Sequence, residues 1–124
     1  MMNKIADFTQ SEVNIAKKLV DNRWRDQPIE IHLADIEIQP KDSDSAIPHP
    51  ALVWEDKNST FVVLKLDSFK YKSFFYFGLD KRFDTGIDEY NDLNECVDHL
   101  LKAQADFVLS KNTKGLKVEI NKED

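Results

Sequence analysis

Cys96 and His99 lie three residues apart, a spacing that puts a thiol and an imidazole on one side of a helix. Such a pair could ligate a metal or serve as nucleophile and base. The rest of the chain completes neither chemistry. A tetrahedral metal site needs four ligands, and no second Cys and His pair accompanies the first. A reactive thiol must be exposed and ionisable, whereas Cys96 falls on an apolar stripe, which makes it a small buried hydrophobe and His99 a boundary residue. His49 stands between Pro48 and Pro50 with little backbone freedom, as a ligand, a contact or a solvated loop residue. No serine occupies a nucleophile elbow, and a chain with three glycines has no glycine-rich loop to cradle a phosphate. The remaining candidate is a surface. Lys70, Lys72, Phe74 and Tyr76 alternate along one strand, with Lys65 on the arm before it, and give that strand a mixed basic and aromatic binding face.

Two carboxylates and a lysine form the one arrangement worth testing as an active site. They are Asp35, where a strand changes its apolar parity, and Glu55 with Lys57 at the end of the next strand. This set resembles the metal-dependent nuclease families whose core is a helix, a meander of strands and a second helix, with an acid on one strand and Glu-x-Lys on the next. The resemblance implies that Asp35 and Glu55 hold Mg²⁺, that Lys57 stabilises the attacking water, and that Glu12 on the first helix is an extra acid. The sequence departs from the pattern in having no preceding Pro-Asp pair, and Glu55-Asp56-Lys57 equally suits a polar hairpin turn. The run Lys72-Ser73-Phe74-Phe75-Tyr76-Phe77 is similar to the aromatic spacing of RNA-recognition motifs, whose sheet face stacks single-stranded bases. The order of elements and the missing glycines differ from those motifs, and lysine stems at the rim of an aromatic core face give the same pattern.

Charge narrows the field further. The chain carries a formal net charge of −6, with seven acids against two bases in residues 28–59 and again in residues 78–100. Between them residues 60–77 hold Lys65, Lys70 and Lys72 against Asp67, a small basic island in an acidic frame. Nucleic acid is therefore disfavoured, because phosphate binding normally needs a broad basic face. The 124 residues, 41% hydrophobic, suit a single globular domain over 1–124, and eight Phe, three Tyr and two Trp exclude a disordered chain. No apolar run approaches the roughly 18 residues of a membrane span, and the first residues lack a signal-peptide core, so no membrane association is expected. A lone cysteine, unable to form an internal disulfide, agrees with a cytoplasmic location.

The elements that must position these residues follow from periodicity. Thr9-Gln10-Ser11-Glu12 is a capping box with Phe8 and Val13 as its staple, and apolar residues from Val13 to Trp24 recur at three and four, giving a helix that ends by Gln27, before Pro28. Ile29, Ile31 and Leu33 alternate with polar residues, but Ile36 and Ile38 have the opposite parity, which predicts a β-bulge at Ala34-Asp35. Residues 39–50, with Pro40, Pro48 and Pro50, read as a surface loop. A second strand from Ala51 to Glu55, a third from Phe61 to Leu66 and a fourth from Lys70 to Phe77 follow, joined by polar turns. Residues 79–91 read as a polar connector. Asp92-Leu93-Asn94-Glu95 opens a second helix with the stripe Leu93, Cys96, Val97, Leu100, Leu101, Gln104, Phe107 and Val108. Asn112 or Gly115 would end it, leaving Leu116, Val118 and Ile120 for a short C-terminal strand or a fraying tail.

The predicted fold is α+β, a four-stranded antiparallel meander with an N-terminal and a C-terminal helix packed on it. With sequential pairing the first and fourth strands are edges, and an edge beside Tyr71, Phe74 and Tyr76 suits a homodimer. The functional expectation is a small acidic binding or regulatory protein that meets a protein partner with a basic surface, without catalysis and without a cofactor. The alternative is an enzyme or small-ligand-binding domain with a pocket between sheet and helices, lined by Trp54, His32 or the Asp35 and Glu55 pair.

Overall fold

The computed structural model describes residues 6–39, 45–78 and 81–121. Its elements are α1 (Gln10–Arg23), β1 (His32–Ile38), β2 (Ile47–Asp56), β3 (Ser59–Asp67), β4 (Lys70–Phe77), β5 (Lys81–Asp84) and α2 (Leu93–Asn121). The strands form one antiparallel sheet in chain order, β1-β2-β3-β4-β5. The architecture is thus the α+β meander expected, widened by one strand.

Alternation along each strand sends residues to two different environments. On one face Leu52, Trp54, Phe61, Val63, Tyr71 and Phe75 meet Ala16 and Val20 of α1 and the α2 stripe from Leu93 to Leu101 in one buried cluster. Trp54 stacks on Phe61 at 5.4 Å, and Trp24, just after α1, meets Phe61 edge-on at the same distance. On the opposite face Ala51, Val62, Leu64 and Phe74 form a second cluster flanked by Ile36, Ile38, Val53, Leu66 and Tyr76, all of them sheet residues. Both helices therefore cover the same side.

The start of α1 is closed by the reciprocal capping box its sequence specifies, and the start of α2 by Asp92 alone. The Thr9 hydroxyl accepts from the Glu12 N–H at 3.1 Å, and the Glu12 carboxylate accepts from the Thr9 N–H at 2.7 Å. At α2 the Asp92 carboxylate accepts from the Asn94 N–H at 3.0 Å. No helix among the described residues is long and apolar enough to cross a membrane.

Five local expectations are corrected. No bulge interrupts β1, which pairs with β2 in continuous register from His32–Val53 to Ile38–Ile47. The change of parity instead reflects the two faces, since Ile29 and Ile31 pack on the helix-side cluster and Ile36 and Ile38 on the other. The register shift lies in β3, between Lys65 and Asp67. Secondly, Ile47 to Pro50 belong to β2 and not to a loop. Two prolines two residues apart withhold their N–H from the same side, so pairing to β1 survives while the ladder to β3 begins only at Ala51–Leu64. The rest of the predicted loop, residues 40–44, lies outside the described residues.

Thirdly, the connector contains β5, whose lone apolar residue, Phe83, stacks on Phe75 at 5.2 Å and touches Phe107 at 4.4 Å. Fourthly, β4 is consequently interior. β5 takes its outer side at Phe74–Phe77, and a bridge from Tyr90 takes it at Tyr71, with N–H to C=O bonds of 2.8 and 2.7 Å. Tyr71, Phe74 and Tyr76 do not lie on an edge strand, and the sheet edges are β1 and β5. Lastly, α2 continues through Gly115 to Asn121 in place of a C-terminal strand. A glycine in a helix costs only about 1 kcal/mol relative to alanine, and an established helix gains a hydrogen bond with each residue added.

Candidate functional site

Pairing across β3, β4 and β5 fixes the surface that carries Lys70, Lys72, Phe74 and Tyr76. Leu64 opposes Lys72, Val62 opposes Phe74, and Thr60 opposes Tyr76, so all four lie on the helix-free face of the sheet. There Phe74 is buried, Lys72 and Tyr76 are half-buried and Lys70 is exposed. Tyr76 meets Phe74 edge-on at 5.8 Å, and the Arg82 guanidinium lies 3.9 Å over the Phe74 ring. Asp88 and Glu89 stand 4.0 and 3.9 Å from the Lys72 and Lys70 ammonium groups, contacts too long and too exposed to fix those side chains. The face thus has an apolar centre and a basic and aromatic flank.

The structure does not bring Asp35, Glu55 and Lys57 together. Asp35 is opposite Pro50, on the helix side of the sheet, where it lines a shallow hollow of about 310 Å³ with Asp7, Phe8 and Leu33. Glu55 lies five residues further along β2, about 17 Å at the usual strand rise, and on the other face. Lys57 sits in the two-residue turn between β2 and β3 at a φ of 55°. Glu12 is committed elsewhere, as shown below. Among the described residues no three His, Cys, Asp or Glu side chains converge on a point where a metal could sit.

Cys96 and His99 also part company. Cys96 is fully buried, and that burial pushes its thiol up to about 12. His99 faces Tyr90, with Nδ1 3.2 Å from the phenol oxygen. His49 is buried on the helix-free face, its Nδ1 2.8 Å from the Ile47 carbonyl, a contact that only a protonated Nδ1 can make.

The basic island itself is split by strand parity. Lys65 points to the helix side and is only 3% exposed. Its ammonium donates to Glu12 Oε1 at 2.9 Å and to the Asp7 carbonyl at 3.0 Å. The Tyr71 hydroxyl donates to the other Glu12 oxygen. Burial alone would raise the Glu12 carboxyl, but the bonds from Tyr71, Lys65 and Thr9 outweigh it and hold the group below its ordinary value. The same burial and the Glu12 charge push the Tyr71 phenol up. This cluster pins the start of α1 to the middle of the sheet.

A second polar group of residues lies at the other end of α1. A cleft of about 490 Å³ opens between the β2–β3 turn, the end of β4 and α2, lined by Arg23, Asp56, Ser59, Phe77, Gln104 and Val108 among others. At its floor Gln104 and Ser59 are 4% and 2% exposed. Arg23 Nη2 donates to Gln104 Oε1 at 2.5 Å and Nη1 to the Leu101 carbonyl at 2.8 Å, while Gln104 Nε2 donates to Ser59 Oγ at 2.9 Å. Asp56 accepts from Trp24 Nε1 and Gln27 Nε2, both at 2.9 Å. Burial pulls the Arg23 guanidinium down from its ordinary value and the neighbouring Asp56 charge holds it up. Sequence reading missed Arg23, Ser59 and Gln104 as a group. The legible signal was Gln104, an amide on the apolar stripe of α2, because a polar side chain there needs buried partners.

Comparison of the chain with protein-family models, with curated proteins and with solved structures finds no match.

Proposed function

We propose that the chain is a binding protein that docks another protein on the helix-free face of its sheet, without a catalytic step of its own. One observation carries this reading: two apolar clusters sit on opposite faces of one sheet, and both helices cover only the first. The second has half-buried Ile36, Ile38, Val53, Leu66 and Tyr76 around a fully packed centre, which is the arrangement of a contact surface with an apolar core. Arg82, Lys72, Lys70 and Glu55 at the margin supply a polar rim. Tyr76 and Arg82 are of the residue types that most often dominate binding energy. The net charge of −6 favours long-range encounter with a partner that is basic overall, while the rim of Arg82, Lys72 and Lys70 against Glu55 calls for acidic groups on the partner at the contact itself.

The test is capture of partners from an extract of the cells that make the protein, at low and high salt. The baits are the wild type, Tyr76→Ser and Val53→Glu on the proposed face, and Lys18→Glu on the exposed side of α1. A partner kept by wild type and Lys18→Glu but lost by both face variants, with their circular dichroism unchanged, is the expected outcome. A partner kept equally by all four baits, or none at all, would refute the docking face.

A further inference from the structure

We propose that the cleft between the β2–β3 turn and α2 is a binding site for a small organic acid with an apolar body, independent of the sheet face. The inference rests on an inventory of hydrogen-bonding capacity. The Gln104 carbonyl accepts from Arg23, and the Gln104 amide, with one proton on Ser59, keeps the other to give. Ser59 Oγ accepts from Gln104 and keeps its own proton to give. Arg23 uses two of its donors on Leu101 and Gln104 and retains the rest. The single carboxylate of the lining, Asp56, already has both oxygens engaged by Trp24 and Gln27. Each of the three side chains at the floor, Arg23, Gln104 and Ser59, thus keeps at least one proton to give.

Charge points the same way. Among the described residues Arg23 makes no ion pair within 4 Å, its bonded partners being neutral, and Asp56 acts on it only from further off. Lys57 stands on the turn at the mouth, and Lys111 lies 5.3 Å over the Phe77 ring. Cations outnumber Asp56 around this cleft in a chain whose net charge is −6. A carboxylate matches the guanidinium in charge and planar geometry. Phe77, Ala105, Val108 and Leu109 make the rest of the lining apolar and would take the body of the ligand, and the volume is that of an ordinary small-molecule site.

The experiment is nuclear magnetic resonance titration of the isotope-labelled full chain with phenylpropionate, with phenylpropanol lacking the charge, and with acetate lacking the body. Phenylpropionate should give saturable shifts at the Ser59 amide, the Gln104 side-chain amide and Arg23 Nε–H. Each control should bind about tenfold more weakly or worse, the worth of a charged hydrogen bond or of a buried ring. Arg23→Gln should weaken phenylpropionate by about the same factor. Because Arg23 also ties α1 to α2, Leu109→Glu is the second variant: Leu109 is 60% exposed, so the fold survives, and because the change removes apolar wall and adds a like charge it should weaken phenylpropionate by a larger factor than phenylpropanol. Phenylpropanol binding as tightly as the acid would overturn the proposal. So would shifts scattered away from the cleft, or full affinity in Leu109→Glu.

Discussion

Lys65→Met is the sharpest test of how this fold is held together. The substitution keeps the stem volume but removes the ammonium that bridges Glu12 Oε1 and the Asp7 carbonyl. Glu12, whose side chain is 12% exposed, would keep only the Thr9 N–H and the Tyr71 hydroxyl. Breaking a buried pair from one side costs about 3–5 kcal/mol, and the residual donors put this case near 3. Against a total stability of about 5–15 kcal/mol that is a large fraction. With a urea dependence of about 1–3 kcal/mol per molar, the unfolding midpoint should fall by about 1–3 M. Glu12→Gln alone preserves the capping geometry but strands the Lys65 cation among neutral acceptors, at about 2 kcal/mol. The double variant removes both charges and leaves an amide with donors to accept, so it should recover most of the loss. The double-mutant cycle in urea should therefore return a coupling of about 2 kcal/mol or more. Additive single costs below about 1 kcal/mol, as for solvated pairs, would refute the claim that this contact anchors α1.

The same carboxylate predicts a pH dependence. Glu12 is held below its ordinary value of 4.5 in the fold, so its contribution is present above that pH and is lost as the pH falls through the folded value. The stability advantage of wild type over Glu12→Gln should shrink in urea melts below pH 4.5, and a constant advantage would contradict the assignment. Lys57→Gly should raise stability by up to about 1 kcal/mol, read as a higher unfolding midpoint, because a φ of 55° strains a side chain that glycine lacks. Cys96, fully buried and with its thiol pushed up to about 12, should resist thiol reagents at neutral pH until the protein is unfolded, and prompt labelling of the folded chain would contradict its placement.

Helices and central strands were legible because their signals are local. The Thr9 capping box and the α2 stripe are short-range patterns, and the structure places both where their spacing dictates. What misled was composition that means different things on different faces. Ile29 and Ile31 against Ile36 and Ile38 looked like one strand resetting its register, yet they are two faces of a sheet with a core on each. Lys81-Arg82-Phe83-Asp84 looked like a connector because an edge strand guards itself with charge, and only Phe83 had a core to reach. Pro48 and Pro50 looked like a loop because proline is scarce in sheets, but their spacing of two leaves one strand side intact.

The hairpin of β3 and β4 shows why charge patches cannot be summed along a sequence. Lys65, Lys70 and Lys72 form one basic island in the chain, but alternation sends Lys65 to the helix side, where its ammonium is consumed by Glu12. Lys70 and Lys72 go to the opposite side, where they make only long, exposed ion pairs with Glu89 and Asp88. One lysine is thus buried in the fold and two lie at its surface. Parity alone places Lys65 with Phe61 and Val63, and a cation on that side of an apolar strand demands a buried acid from elsewhere in the chain. Glu12, the residue that closes the capping box, supplies it. A carboxylate that already accepts from three donors, one of them a buried ammonium, is committed to the fold and not to a metal or a proton relay. The geometry that removes Glu12 from the nuclease-like set is therefore the geometry that secures α1.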